Sequence, residues 1–347
     1  MKKLICIILA VLVSVFSLFL FACEKNAVNE GQTSTGTNTT VSRKLSEVRV
    51  VAPDGAPALA ISKYIADNET FDTDTPFLYS VVSSSDIGVT MAQGNAELIV
   101  VPVNLASKTY KANKNDPYKM VSVITHGNLY IASKEETSLS DLVGKVIGVI
   151  GEGLVPDLTL KYILNKNGIS YETSETAISG KVAIKYFNNA SDLMPMMKQN
   201  RITVGLLPEP AVSKLPSIAP DYTFRLDLGK EYDENNEYPQ AVLMAKKSFI
   251  ENDNYAGVIE KMKATFNGNV TWAKENVESA VNGVNGKLKE GLTPSLTAQN
   301  ITASVIDGCH IYWKDSSLSR DYVKDYINNI IAVQSNSAVA ISDDFFM

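Results

Sequence analysis

From Val48 onward, short runs rich in Val, Ile and Leu alternate with stretches of helical periodicity, and the alternation restarts after Asp141. That rhythm restricts the chain to an α/β architecture. Strands that are apolar along their whole length must be covered on both faces, and the periodic segments between them are the helices that cover them. In the first set, strands are predicted over 48–52, 77–82, 98–102 and 120–124, with helices over 58–67, 87–93 and around 105–110. In the second, strands fall at 146–150, 182–187 and 203–207, with helices over 156–167 and 191–199. Two largely parallel sheets in succession imply two α/β lobes. After Tyr238 the pattern changes: one more apolar run, 241–245, precedes a mostly helical region over 249–333 punctuated at Gly268, Gly283 and Gly286. That region holds too few strands for a third sheet, so its helices are expected to pack back on the first lobe. No internal sequence repeat stands at a fixed period.

The N-terminus carries Lys2 and Lys3, then an apolar run over 4–22 that stops at Leu20-Phe21-Ala22-Cys23. At 19 residues the run is nominally long enough to cross a bilayer. A small residue directly before cysteine, followed by a polar stretch, instead reads as a cleaved secretory signal over residues 1–22. The tetrapeptide resembles the lipobox of bacterial lipoproteins, although Phe21 departs from the usual small or aliphatic residue at that place. The resemblance implies that Cys23 receives palmitate-type acyl chains and becomes the first mature residue. Two or three such chains hold a protein on a membrane where one does not, so the expected location is the extracytoplasmic face of a cell membrane. Residues 23–44, rich in Asn, Thr, Ser and Gly, read as a disordered tether with a reach of roughly 25 Å.

About 325 residues remain beyond the signal, more than one core usually spans, which again favours two lobes. Loss of Lys2 and Lys3 leaves 30 basic against 38 acidic residues, a formal charge of −8, with no run of basic residues. Nucleic acid is therefore excluded as an expected partner. Cys6 lies in the signal and Cys23 is the lipidation site, so Cys309 remains the single thiol and no internal disulfide is available. With only His126 and His310, and no Cys-x-x-Cys or His-x-x-x-His pair, neither a metal site nor a cofactor is expected.

In open α/β sheets ligands bind beyond the carboxyl ends of the strands. Six loops occupy such places: Ala52-Pro53-Asp54-Gly55-Ala56-Pro57, Ser83-Ser84-Ser85-Asp86, Pro102-Val103-Asn104, Gly151-Glu152-Gly153-Leu154-Val155-Pro156, Asn188-Asn189-Ala190-Ser191 and Leu207-Pro208-Glu209-Pro210. Several members have a plain structural reading. Asp54, Ser85 and Ser191 suit helix caps, and the prolines around Glu209 suit a fixed turn. Gly151-x-Gly153 lacks the third glycine of a dinucleotide fingerprint, because Pro156 stands there. What raises the set above its members is that all six follow a strand, so they are expected to converge on one cleft.

The stretches Val50-Val51-Ala52-Pro53-Asp54-Gly55-Ala56-Pro57-Ala58-Leu59-Ala60, Val146-Ile147-Gly148-Val149-Ile150-Gly151-Glu152-Gly153 and Gly205-Leu206-Leu207-Pro208-Glu209-Pro210-Ala211 resemble the type II solute-binding proteins of ABC importers. Within these, the likeness is to the nitrate, sulfonate, taurine and thiamine-precursor group, over residues 48–249. The resemblance implies a two-lobed periplasmic-binding-protein-like type II fold, each lobe a mainly parallel sheet flanked by helices, joined by two crossover strands at 121–133 and 237–246. The lobes would comprise residues 45–128 plus 240–347, and 129–239, with the C-terminal helices returning to the first. It further implies a monomer that delivers a small-molecule solute to a membrane permease.

The expected ligand contacts are Asp54, Gly55, Ala56, Ser84, Ser85, Asn104, Gly151, Glu152, Gly153, Asn188, Asn189 and Glu209 in the loops, with His126, Asn128, Tyr130, Tyr238 and Gln240 on the crossovers. Trp272 and Trp313 are expected in the core. No arginine or lysine stands in the six loops, whereas Asp54, Glu152 and Glu209 do, which favours a neutral or cationic solute such as a pyrimidine over an anion. Two other functions fit the same fold: a pyrimidine-precursor biosynthetic enzyme, for which His126 with Glu152 is the pair available for acid–base work, and a lipoprotein receptor that senses a solute and signals.

Overall fold

The computed structural model describes residues 43–233 and 237–347; the expected signal, Cys23 and most of the expected tether lie outside the described residues. The last two tether residues are held by the body, since the Arg43 carbonyl accepts from Asn252 Nδ2 at 3.0 Å and Lys44 pairs with Asp74 at 3.3 Å.

The apolar runs form strands for the reason their composition gives: Leu98, Ile99, Val100 and Val101 are each 0% exposed, covered on both faces. In chain order the strands are β1 (Val48–Pro53), β2 (Phe77–Val82), β3 (Leu98–Pro102), β4 (Tyr118–His126), β5 (Leu129–Ser133), β6 (Val146–Ile150), β7 (Tyr171–Thr173), β8 (Val182–Phe187), β9 (Val204–Pro208), β10 (Phe224–Asp227), β11 (Pro239–Lys246) and β12 (Ile311–Asp315). They make two six-stranded sheets flanked by helices, β2-β1-β3-β11-β4-β12 and β7-β8-β6-β9-β5-β10.

The two sheets repeat one plan. The first strand of each lobe pairs in parallel with the second and third, β1 with β2 and β3, and β6 with β8 and β9. A strand beside the crossing then pairs antiparallel with the third, β11 with β3 and β5 with β9. The sheets are thus mixed, parallel at the centre of each lobe and antiparallel where the chain passes between lobes. This is the two-lobed, periplasmic-binding-protein-like type II arrangement.

The first crossing turns on two consecutive residues. Gly127 N donates to the Tyr238 carbonyl at 2.9 Å on the first-sheet side, and the Asn128 carbonyl accepts from Glu209 N at 2.9 Å, extending the β5–β9 ladder of the second. The predicted single crossover over 121–133 is therefore two strands with a switch between them. Gly127 is required by space: a Cβ there would lie 2.6 Å from the ring of buried Tyr238. Close approach also explains Gly205 on β9, where a Cβ would stand 2.5 Å from Met197 Sδ on the helix Ala190–Lys198. The second crossing lies before Pro239, since β11 belongs wholly to the first sheet.

Three strands carry no clear mark in the sequence. β7 and β10 are short edge strands with half-exposed or exposed residues, and β12 interrupts the region expected to be helical, joining β4 at the first sheet's edge. The predicted helix over 58–67 is two helices, Ala56–Ala60 and Ser62–Asp67, separated at Ile61. Trp272 and Trp313 are half-buried and pack at the margin of the first-lobe core, Trp313 edge-on to Phe266.

The C-terminal region divides its packing. Helices Val258–Glu275 and Val277–Asn285 return to Ser62–Asp67 in the first lobe, as expected. Helix Arg320–Val333 does not return to that lobe alone, because it lies against both Val103–Thr109 and the second-lobe helix Val155–Lys166. Val323, Tyr326, Ile327 and Ile330 form its buried stripe, and Tyr326 Oη lies 2.8 Å from Thr159 Oγ1. Their spacing of three and four residues is the ordinary helical signal of a face to be covered. Which lobe covers it is a tertiary outcome.

Candidate functional site

The loops at the carboxyl ends of β3 and β6 meet face to face. Asn104, fully buried, donates its Nδ2 to the Gly153 carbonyl at 3.0 Å and to the Ser337 carbonyl at 3.3 Å. The first bond runs from the first lobe to the second, and the other holds the segment that follows the C-terminal helix. Gly151 and Gly153 both adopt positive φ, 70° and 69°, which lets the 151–153 loop turn its carbonyl outward.

That loop is fixed by a residue outside the expected set. Asp157, 0% exposed in the first turn of helix Val155–Lys166, accepts from Gly153 N at 2.9 Å, Lys161 Nζ at 2.9 Å and Tyr186 Oη at 2.9 Å. Lys161 continues to Gln334 Oε1 at 3.3 Å. The available signal was an acidic residue just inside a helix start, which ordinarily means a favourable dipole contact; its reach to Tyr186 depends on the fold.

The other loop residues divide by environment. Asp54 is committed, one carboxyl oxygen accepting from Gly55 N and the other from Ser295 N, both at 2.8 Å. Gly55 has φ 105°, and Ala56 opens the first helix. Ser84, Ser85, Glu152, Asn188 and Asn189 are exposed; Ser85 Oγ lies 2.8 Å from Ser83 Oγ, and Asn189 caps its helix by accepting from Asp192 N at 3.0 Å. Glu209 is 5% exposed, and its carboxylate accepts from Ser213 Oγ at 2.7 Å and Arg225 Nη1 at 3.2 Å. Burial raises its pKa above the usual carboxylate range, against the pull of Ser213 and Arg225. Arg225, from β10, thus supplies a cation that a survey of the loops alone misses, and it is spent on the acid.

At the crossing, Asn128 is 0% exposed, its N donating to Gln240 Oε1 at 3.3 Å and its Nδ2 to the Glu209 carbonyl at 3.4 Å. Tyr130 is half-buried on β5, opposite Leu207 on one side and Asp227 on the other. Tyr238 is fully buried beside Tyr326, with ring centroids 5.9 Å apart and planes at 14°. Its hydroxyl approaches the Leu129 backbone without completing an aligned hydrogen bond.

His126 is 1% exposed, its ring stacked on Tyr312 at 3.7 Å with planes 3° apart. Nδ1 lies 3.1 Å from Tyr322 Oη and 3.0 Å from Glu237 Oε1; the latter approach is close but out of line for a formed hydrogen bond, and it becomes an ion pair only on protonation of the imidazole. Its acidic neighbour is therefore Glu237, itself paired with Lys314 at 3.2 Å, in place of the Glu152 that acid–base work would use.

Burial, opposed by Glu237, holds the His126 imidazole below its ordinary pKa. On acidification the unfolded chain takes up this proton first, so the His126 contribution is complete above about pH 6.5 and is lost as pH falls toward the depressed folded value. The expected result is a thermal midpoint that declines from about pH 7.5 to about pH 5.5 more steeply in the wild type than in His126→Gln. Equal slopes in a melting series would remove His126 as the cause.

Two recesses lie away from the six loops. One, about 560 Å³, is lined by Tyr162, Tyr232, Glu237, Lys314, Tyr322 and Tyr326 among others; one of about 510 Å³ lies beside β1 and β2, around Leu78 and Asn95. No helix among the described residues is long and apolar enough to cross a membrane.

No family model matches the chain, and no curated protein matches it. Solved structures do. An ABC transporter protein from Parabacteroides distasonis superposes with a TM-score of 0.67 at 16% identity, covering 87% of this chain and 99% of that one. The periplasmic aliphatic sulphonate binding protein of Escherichia coli gives 0.59 at 12%, covering 87% and 91%. The ligand-binding component of an ABC-type import system from Staphylococcus aureus, solved with zinc bound, gives 0.58 at 11%, covering 87% and 97%. At these identities the likeness establishes the periplasmic-binding-protein-like fold.

Proposed function

We propose that the protein is the solute-binding lipoprotein of an ABC-type importer, held by Cys23 and a short tether at the extracytoplasmic face of the membrane. It captures a small solute between a first lobe, residues 45–128 plus 240–347, and a second, residues 129–239, and presents it as a monomer to a permease. The observation that carries this reading is the Asn104–Gly153 hydrogen bond. It joins loops that follow β3 and β6, the places where open α/β sheets hold ligands, across the two lobes. Solute-binding proteins of ABC systems supply the matching fold, which supports the role. Contacts made better with the lobes together are what drive such a closure.

Binding rather than catalysis is favoured because His126, the histidine that acid–base work would use, is enclosed by Tyr312, Tyr322 and Glu237, while His310 beside it is engaged through Nδ1 by the Gly127 carbonyl. The reading is tested by denaturing the purified protein and identifying released small molecules by mass spectrometry, alongside a thermal-shift panel. A stoichiometric solute that raises the melting temperature on return supports it; chemical turnover of that solute would replace it with the enzyme reading. For the anchor, Cys23→Ser is expected to move the protein from the detergent phase to the aqueous phase. Retention in the detergent phase would point to an uncleaved N-terminal helix.

A further inference from the structure

Two fully buried side-chain amides stand at the junction of the lobes, Asn104 at the start of the helix after β3 and Asn128 at the crossing, and each has one end unused. Asn104 Nδ2 faces the carbonyls of Gly153 and Ser337, and Asn128 Nδ2 faces that of Glu209. A carbonyl accepts only from the nitrogen end, so the orientation of both amides is decided: flipping either would set oxygen against oxygen. The free ends are therefore Asn104 Oδ1 and Asn128 Oδ1, and neither meets a donor. Thr125 Oγ1, next to the last residue of β4 before the crossing, is likewise buried without a partner. Buried polar atoms in native proteins are almost always paired, so a cluster of orphans at one place asks for a ligand or a bound water.

The two amides stand side by side through their partners: the Gly153 and Glu209 carbonyls lie on the loops that follow β6 and β9, which pair in parallel, and Thr125 precedes Asn128 by three residues. In register Pro102 stands opposite Ala241, and Ala241 opposite Thr125, so only β11 separates the end of β3 from the end of β4. At about 4.8 Å per strand this puts the backbones at Pro102 and Thr125 roughly 10 Å apart, with Asn104 two residues beyond the first and Asn128 three beyond the second.

The surroundings offer an anion little. Arg225 is committed to Glu209 and Ser213, and Lys161 to Asp157 and Gln334. Of the two helix starts nearest the second-lobe loops, one is capped by Asn189, which takes Asp192 N, and the other carries the Asp157 carboxylate in its first turn, which repels an anion. Resting on the importer reading above, we infer that the seam recognises its solute as a hydrogen-bond donor. The ligand class is an uncharged or cationic small molecule bearing at least two N–H or O–H groups, and simple alkanesulfonates and nitrate are rejected because they bring only acceptors.

Calorimetry on the solute-stripped protein tests this with primary amides, polyols and aminopyrimidines, each set beside its N- or O-methylated counterpart, and with alkanesulfonates and nitrate. At least one donor-bearing compound is expected to bind and to lose tenfold or more on methylation. Asn128→Leu should reduce that preference, and Thr125→Val, nearly the same shape and able to fold without a partner for its hydroxyl, should weaken binding of the unmethylated compound alone. A sulfonate or nitrate bound equally by wild type and Asn128→Leu overturns the donor inference and leaves the importer reading standing. Binding insensitive to methylation and to both substitutions also overturns it. No binding by any compound, with nothing released on denaturation, removes the importer reading and the inference together.

Discussion

Tyr326→Ala is expected to lower folding stability by about 3–5 kcal/mol, the cost typical of truncating a buried aromatic. Tyr326 is 1% exposed, stacks on Tyr238 at the crossing, and shares a hydrogen bond with Thr159 on the second lobe. Its removal empties the junction where the C-terminal helix, the crossing and helix Val155–Lys166 meet. Tyr326→Phe keeps the ring and loses only the hydroxyl, so about 1 kcal/mol is expected for it. Denaturant unfolding followed by circular dichroism separates the two. An alanine variant no less stable than the phenylalanine variant would mean that the helix is not packed on both lobes.

Asp157→Ala is the second large effect, at about 3–5 kcal/mol, because it leaves Lys161, whose side chain is 12% exposed, without its carboxylate. The same change frees Gly153 N and Tyr186 Oη, so the 151–153 loop should loosen and solute affinity should fall with stability. A double replacement, Asp157→Ala with Lys161→Met, removes the stranded charge and should recover part of the loss. Unchanged stability in the single variant would show that the buried pair contributes nothing net.

Strands covered on both faces are legible because burial leaves a uniform apolar run, as in β3, β6 and β9, and their order is enough to indicate two lobes. Edge strands leave no such trace. β7 and β10 are half-exposed, and β12 owes its pairing to β4, nearly 190 residues earlier in the chain. The cleft loops are legible as a set because each follows a strand, but their employment is not. Asp54 and Glu209 read as acids offered to a cation, whereas Ser295 and Arg225, brought by distant elements, occupy them. Asn104 reads as a polar loop residue; that it bridges the lobes and keeps a free oxygen depends on how they dock. His126 reads as a hinge residue facing a solute, yet Tyr312 and Tyr322, from the region expected to be helical, enclose it.

Closure of the two lobes on a solute at the seam between them should change their separation. It is tested most directly by the distance between spin labels at positions 84 and 188, both exposed and on loops of opposite lobes. The measurement compares protein as purified with protein freed of small molecules by denaturation and refolding. Cys309, buried and the sole free cysteine among the described residues, should not compete for the label. A longer and broader distance distribution is expected in the stripped protein, restored to the short one when the released solute is returned. The same distribution in both samples, with nothing released on denaturation, would contradict it.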